Sequence, residues 1–227
     1  MVFKWSMITI GALSMLQVFQ TLVMPIPISA RAFSYAKVPK FEQISILRNA
    51  IIFDSQMPSA YVNKSFKDTD LCKSEMKSMF SIEHIFPRSF MQKRDHDDMH
   101  NTIRTISALN VNRSNYRFTD VIHLDYDRKN WVKLDFGNYV NHKLQLFIPN
   151  EESRGFIARA VLYMCKEYGY NSSNVIHKDV LFQWFCMYPP DESEKYHNEL
   201  VKKLQNKNNM YVSNYRKLRK SITLKKL

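Results

Sequence analysis

The sequence predicts an α+β fold, mostly helical, and three observations carry that reading. Apolar residues recur at helical spacing over several stretches. Two further stretches read as strands that stop at a proline or turn at an Asn/Gly pair. The apolar and charged fractions, 45% and 24% of 227 residues, are those of a globular chain long enough to bury one core.

The elements follow in order. The first 32 residues read as a targeting segment, with Lys4 as its positive end and an uncharged, largely apolar run from Met7 to Met24. Ala30-Arg31-Ala32 then supplies an A-x-A-type cleavage site, and removal after Ala32 makes the chain an exported or secreted protein without stable membrane association. The alternative is a retained signal-anchor at residues 7–24, since a run of about 18 apolar residues can span a bilayer. Gln17 and Gln20 weaken it as an anchor. Phe41, Ile44, Leu47 and Ile51 predict a helix over 40–53, and loops follow at 57–59 and 64–70. Residues 81–86 form a short strand candidate closed by Pro87, which cannot continue a ladder. Arg113 to Phe118 reads as a helix start, with Asn112 or Ser114 available as its cap.

Over 121–148 the pattern alternates. Tyr139, Val140, Leu144, Leu146 and Phe147 suggest strands around a turn at Gly137-Asn138. Gly155 to Tyr168 is a helix whose apolar face is Ile157, Val161, Leu162 and Met164, with Gly169 as a natural C-cap. Residues 180–187 and 195–204 read as further helices separated by Pro189-Pro190. The body of the chain is therefore 33–212, followed by a basic tail at 213–227. No internal repeat is present.

A net charge of +12 implies affinity for polyanions. After Glu199 no acid remains, while nine basic residues follow, including Lys202, Lys203, Arg216, Lys217, Arg219 and Lys220. Solvation is the ordinary fate of such a run, and contact with phosphates becomes the better reading only beside a site that acts on them. Cys72, Cys165 and Cys186 are odd in number, so no complete disulfide framework exists.

The chemistry concentrates in residues 83–116. Glu83-His84-Ile85-Phe86-Pro87-Arg88-Ser89 opens the stretch, Asp98-Met99-His100-Asn101 follows, and Asn110-Val111-Asn112-Arg113-Ser114-Asn115-Tyr116 closes it. A carboxylate and an Asn carbonyl are hard oxygen donors that suit Mg²⁺ and leave positions for water and phosphate. A neutral imidazole, with an ordinary pKa near ~6.5, can take a proton from attacking water. For an isolated His a core position bonded to a carbonyl is the commoner fate, and a Ser-Asn pair is more often a helix cap. The ordered set reverses both preferences. Adjacent strand residues point to opposite faces, so Glu83 and His84 divide the labour: one holds metal, the other activates water.

The three blocks resemble the endonuclease I family of the His-Me finger (ββα-metal) nucleases, whose pattern is E-H-V-x-P-x-S, D-(L/M)-H-N-L and V-N-x-x-R-(S/G)-N-(Y/F). Arg154-Gly155-Phe156-Ile157-Ala158-Arg159 is similar to the family's R-G-D-I-A-R, with Phe for Asp, and Trp184, Pro189, Glu194, Asn198, Glu199 and Gln205 follow its later pattern. Two blocks depart: Arg104 stands near where the family often has Pro, and 205–211 lacks the Q-G-N glycine. The resemblance implies a small ββα-metal core within the helical domain and cutting of DNA, and RNA as a further substrate, with little sequence preference. By position it makes His84 the general base, while Arg113, just before the Ser-Asn pair, contacts phosphate or braces the site. Glu83 and Asn115 become ligands of Mg²⁺, Mn²⁺ or Ca²⁺. Asp98, His100 and Asn101 become supporting residues, and Arg88, Arg94, Arg104, Lys202 and Lys203 candidate phosphate contacts. A monomer is expected. Two rivals remain: a catalytically inactive basic nucleic-acid binder on the same scaffold, and a zinc hydrolase using His96 and His100 at i and i+4.

Overall fold

A computed structural model of the chain describes residues 58–62, 79–121, 125 and 127–225. The targeting segment, the helix over 40–53, the loop at 64–70 and Cys72 lie outside the described residues. All of the described residues belong to one unit, Ile44–Leu227. The α+β class is observed. Strands β1 (Phe80–His84) and β2 (Thr102–Ile106) pair antiparallel, with Glu83 opposite Ile103 and His84 opposite Thr102. Helix α1 (Ser107–Arg113) follows β2 directly and packs on both strands, so this unit runs β, β, α. Asn110 fastens it, donating to Ser81 Oγ at 2.9 Å and to the Ile82 carbonyl at 3.1 Å.

The expected helix at 113–118 is corrected here: the helix ends at Arg113, and Arg117–Phe118 is strand β3. Ser114, at φ +52°, is the C-cap of α1 and not the start of a helix, and Asn112 donates back to the Ala108 carbonyl inside α1. The positive φ at Ser114 takes the chain off the helical path, and β3 then pairs in parallel with Leu146–Phe147. A second sheet results, in the order β3-β6-β5-β4, with β4 at Val132–Lys133, β5 at Tyr139–Asn141 and β6 at Leu146–Ile148. The expected turn at Gly137-Asn138 joins β4 to β5, and Gly137 takes φ +77° there.

Helix α2 (Glu151–Tyr168) begins four residues before the expected start because Asn150 caps it, accepting from Ser153 N at 3.2 Å, with Glu151 and Glu152 in its first turn. It ends at Gly169, φ +73°, as its sequence predicts. Ile157, Val161, Leu162 and Met164 are all buried along it. Helices α3 (Lys178–Met187), α4 (Glu192–Gln205), α5 (Met210–Ser213) and α6 (Tyr215–Lys225) complete the chain. Asp191 caps α4, accepting from Glu194 N at 2.8 Å. Gly155 is required by close approach: a Cβ there would lie 2.6 Å from the Tyr188 carbonyl. Arg159 uses the same approach, donating to that carbonyl while both side-chain oxygens of Glu194 accept from its guanidinium. The Arg-Gly-x-x-x-Arg stretch is thus a clasp between α2 and the start of α4.

Candidate active site

β1 ends where the chemistry-bearing pair stands, and the two side chains do separate to opposite faces. Glu83 is 2% exposed, and its Oε1 accepts from Tyr61 OH at 2.8 Å and lies 3.0 Å from Arg113 Nη1. Burial raises the Glu83 carboxyl above its ordinary range, against the opposing pull of Arg113 and the hydrogen bonds from Tyr61 and the His84 N–H. His84 is half-buried and directs Nε2 to the His96 carbonyl at 3.0 Å. A carbonyl only accepts, so in the neutral ring Nε2 carries the hydrogen and the basic lone pair belongs to Nδ1.

Arg113 lies inside, 1% exposed, and joins three parts of the site. Its guanidinium donates to the carbonyls of His84 (3.1 Å) and Ile85 (2.6 Å), meets Glu83, and stands 4.4 Å above the Phe118 ring. A phosphate contact by Arg113 therefore gives way to bracing, because its donors face the protein and its side chain is out of solvent. Asn115, two residues later, is exposed and donates to Ser89 Oγ at 3.4 Å, so the first and third motif blocks meet across that contact. Glu83 and Asn115 are linked through Arg113 and its carbonyl partners, not directly.

The middle block forms a buried polar cluster. Asp98 accepts from the hydroxyls of Tyr163 and Tyr168, from the His100 N–H and from Lys207 Nζ. Burial would raise its carboxyl, but those hydrogen bonds outweigh it and hold the group below the usual carboxylate range. His100 donates to the Lys207 carbonyl at 3.0 Å. Asn101 closes a two-bond bracket on Phe86, accepting from its N–H at 2.7 Å and donating to its carbonyl at 3.0 Å. These residues hold the 85–101 loop against α2 and the 205–207 segment. Gln205 joins them, accepting from Met99 N and donating to the Asp97 carbonyl.

Arg88 and Arg94 are exposed, as are Lys202 and Lys203 on α4, where Lys202 stands 4.0 Å from Glu199. Arg104 is not available as a surface cation: it is 4% exposed, donates to Ser59 Oγ and lies over the Phe80 ring. The helical His96/His100 pair is also corrected. His96 sits in a turn, the His100 imidazole is committed to the Lys207 carbonyl, and the described residues hold no group of three His, Cys, Asp or Glu able to bind a metal. Cys165 and Cys186 are free thiols. Two concavities, of about 510 and 1050 Å³, lie elsewhere on the molecule, and neither is lined by Glu83, His84 or Asn115. Sequence reasoning missed Tyr61 and His197. Tyr61 stands outside the motif blocks, and nothing local marks it as the partner of Glu83. His197 donates to the Met99 carbonyl at 2.9 Å beneath His100.

His197 gives a pH prediction. Burial, and then the neighbouring His100, push its pKa down to about 4. The unfolded ring takes its proton near ~6.5 and the folded ring only near 4, so the unfolded state binds more protons between those values. Stability should fall as pH drops through that window, at about 1.4 kcal/mol per unit and about 3 kcal/mol in all. Urea unfolding at pH 7 and pH 5 should show a smaller loss for His197→Gln than for the wild type. Parallel losses would remove His197 as the cause.

Residues 34–215 match the family model described as Endonuclease I. An extracellular deoxyribonuclease of Aeromonas hydrophila is 36% identical over 117 residues, 51% of this chain and 48% of that protein. A periplasmic deoxyribonuclease of the same organism is 35% identical over 120 residues, 51% of this chain and 46% of that protein. Endonuclease-1 of Buchnera aphidicola subsp. Acyrthosiphon pisum (strain APS) is 30% identical over 122 residues, 53% of this chain and 46% of that protein. The chain spans about half the length of the curated relatives it matches.

Proposed function

The chain belongs to the endonuclease I family, and from that premise we propose that it is a divalent-metal-dependent nuclease cutting phosphodiester bonds in DNA, and in RNA, with little sequence preference. The observation that carries the reading is the end of β1. There Arg113 fixes the Glu83 carboxylate and the His84 and Ile85 carbonyls together, while the His96 carbonyl orients the His84 ring.

His84 is the general base: with Nε2–H held by a carbonyl, Nδ1 takes the proton of the attacking water. Glu83 and Asn115 would hold the metal. Their donor set fits a hard ion such as Mg²⁺, Mn²⁺ or Ca²⁺, being one carboxylate and one amide oxygen, with the remaining positions left to water and phosphate. Such an ion, when bound, would neutralise the charge that gathers on the phosphoryl oxygens and on the leaving 3′ oxygen. Arg113 keeps Glu83 in place, and Asp98, His100 and Asn101 keep the intervening loop in register. Exposed Arg88 and Arg94, with Lys202 and Lys203, contact phosphates, which carry no base identity, so weak sequence preference follows. Export is part of the reading: removal of residues 1–32 by cleavage after Ala32 would suit a chain whose relatives are named extracellular and periplasmic deoxyribonucleases.

The test is digestion of supercoiled plasmid, and of RNA, by the full-length chain with Mg²⁺, Mn²⁺ or Ca²⁺, and with EDTA. Cutting should need the ion and leave a smear, not discrete bands. A folded chain that leaves both substrates intact with every ion would sink the proposal and restore the inactive binder.

A further inference from the structure

The segment expected as a basic tail is helix α6, and it is docked. Tyr215, at its start, is 7% exposed, meets the Phe185 ring at 5.3 Å, and donates its hydroxyl to the Cys186 carbonyl. Leu218 and Ile222 follow at i+3 and i+7 and pack against the same core. That apolar stripe fixes the opposite face, where Arg216, Lys217 and Lys220 are exposed, with Arg219 exposed at its flank. The helix Tyr215–Lys225 contains no acid. Arg216, Lys217 and Lys220 make no ion pair among the described residues.

This arrangement opposes its own folding in two ways. Arg216 and Lys217 stand in the first turn, at the positive end of the helix dipole. Like charges also face each other at i,i+3 and i,i+4, through 216 with 219 and 220 and 217 with 220. A polyanion laid on the face relieves both. Arg216 and Lys220 are about 6 Å apart along the axis, a row of cations on the scale of successive phosphates. The family match ends at residue 215, where this helix begins.

We propose that α6 is a nucleic-acid docking face, a phosphate-binding exosite that holds the substrate away from the residues that cut it. The identity of its occupant rests on the nuclease reading. An anionic membrane is the poorer fit, because a surface-lying helix needs its apolar side for the bilayer and α6 has buried that side in the protein.

The test uses the full-length chain and the variant Arg216→Gln/Lys217→Gln/Arg219→Gln/Lys220→Gln, Gln being a good helix former. Binding of a fluorescent mixed-sequence duplex is followed in EDTA across salt concentrations. The variant should bind about tenfold more weakly or worse, and its log–log salt slope should shrink by about 2–4, at roughly 0.9 for each phosphate no longer neutralised. In cutting assays KM should rise while kcat stays within about twofold, the pattern of weakened uniform binding. A charge-matched control, Lys129→Gln/Lys133→Gln/Lys143→Gln/Lys166→Gln, should change the slope much less. An unchanged slope in the α6 variant, or an equal change in the control, overturns the exosite. So does lost binding to phosphatidylserine vesicles with duplex binding intact. A wild type that binds duplex through α6 but cuts with no ion would sink the proposed function and leave the exosite standing.

Discussion

His84→Ala is expected to lower the rate of plasmid cutting by about 10²- to 10⁴-fold, the range that a positioned general base contributes. Duplex binding in EDTA should be unchanged, because the imidazole is half-buried and bonded to the His96 carbonyl rather than exposed as a phosphate contact. Stability should fall by no more than about 1 kcal/mol, the net worth of one hydrogen bond. Activity should return in part with added imidazole, since the vacated space can take the ring. The neighbouring His96 makes the sharper control. Its ring centroid is 6.5 Å from that of His84, and its own Nε2 is buried without a partner. If His96→Ala lost the activity while His84→Ala kept it within about threefold, the base would be reassigned, since a general base is worth far more than that. If both variants cut normally, no imidazole serves as base here.

Much of this site was legible because its chemistry is local. Glu83 and His84 are neighbours on one strand, and strand geometry alone separates them to opposite faces. The C-terminal end of α2 was legible too, since Gly169 and the apolar spacing need only neighbours in sequence. What escaped depended on long-range partners. The sequence leaves Arg113 between contacting phosphate and bracing the site, and its place is set by three acceptors on and just after β1, about thirty positions earlier. Those bonds and the positive φ of Ser114 end the helix where propensity would begin one. Arg104 reads as a phosphate contact, but its strand register places it against Ser59 and Phe80. Tyr61 lies 22 positions before Glu83, and only the packed structure brings its hydroxyl to the carboxylate. Likewise, nothing in the local sequence reveals that Arg154 and Arg159 face different partners, Asp120 and Glu194.

Arg113→Met should be the most destabilising single change in the site. Methionine preserves most of the volume and some contact with Phe118, so the loss isolates the guanidinium. Without it Glu83 is a buried carboxylate lacking its counter-charge, and the carbonyls of His84 and Ile85 lose a donor. Removing one partner of a buried pair costs about 3–5 kcal/mol, against a total stability of about 5–15. In a chain of this size the Tm should fall by on the order of 10 °C. Arg113→Lys should recover only part of this, because one ammonium cannot reach a carboxylate and two carbonyls at once. The decisive comparison adds Glu83→Gln to Arg113→Met, with unfolding measured in EDTA so that no ion enters the balance. If the penalty is an uncompensated charge, the double variant should be more stable than Arg113→Met alone, since neutral Gln still accepts from Tyr61. Additive losses would mean instead that Arg113 acts through the two carbonyls. Glu83 would then keep its place through Tyr61, and the brace would belong to the strand end rather than to the carboxylate.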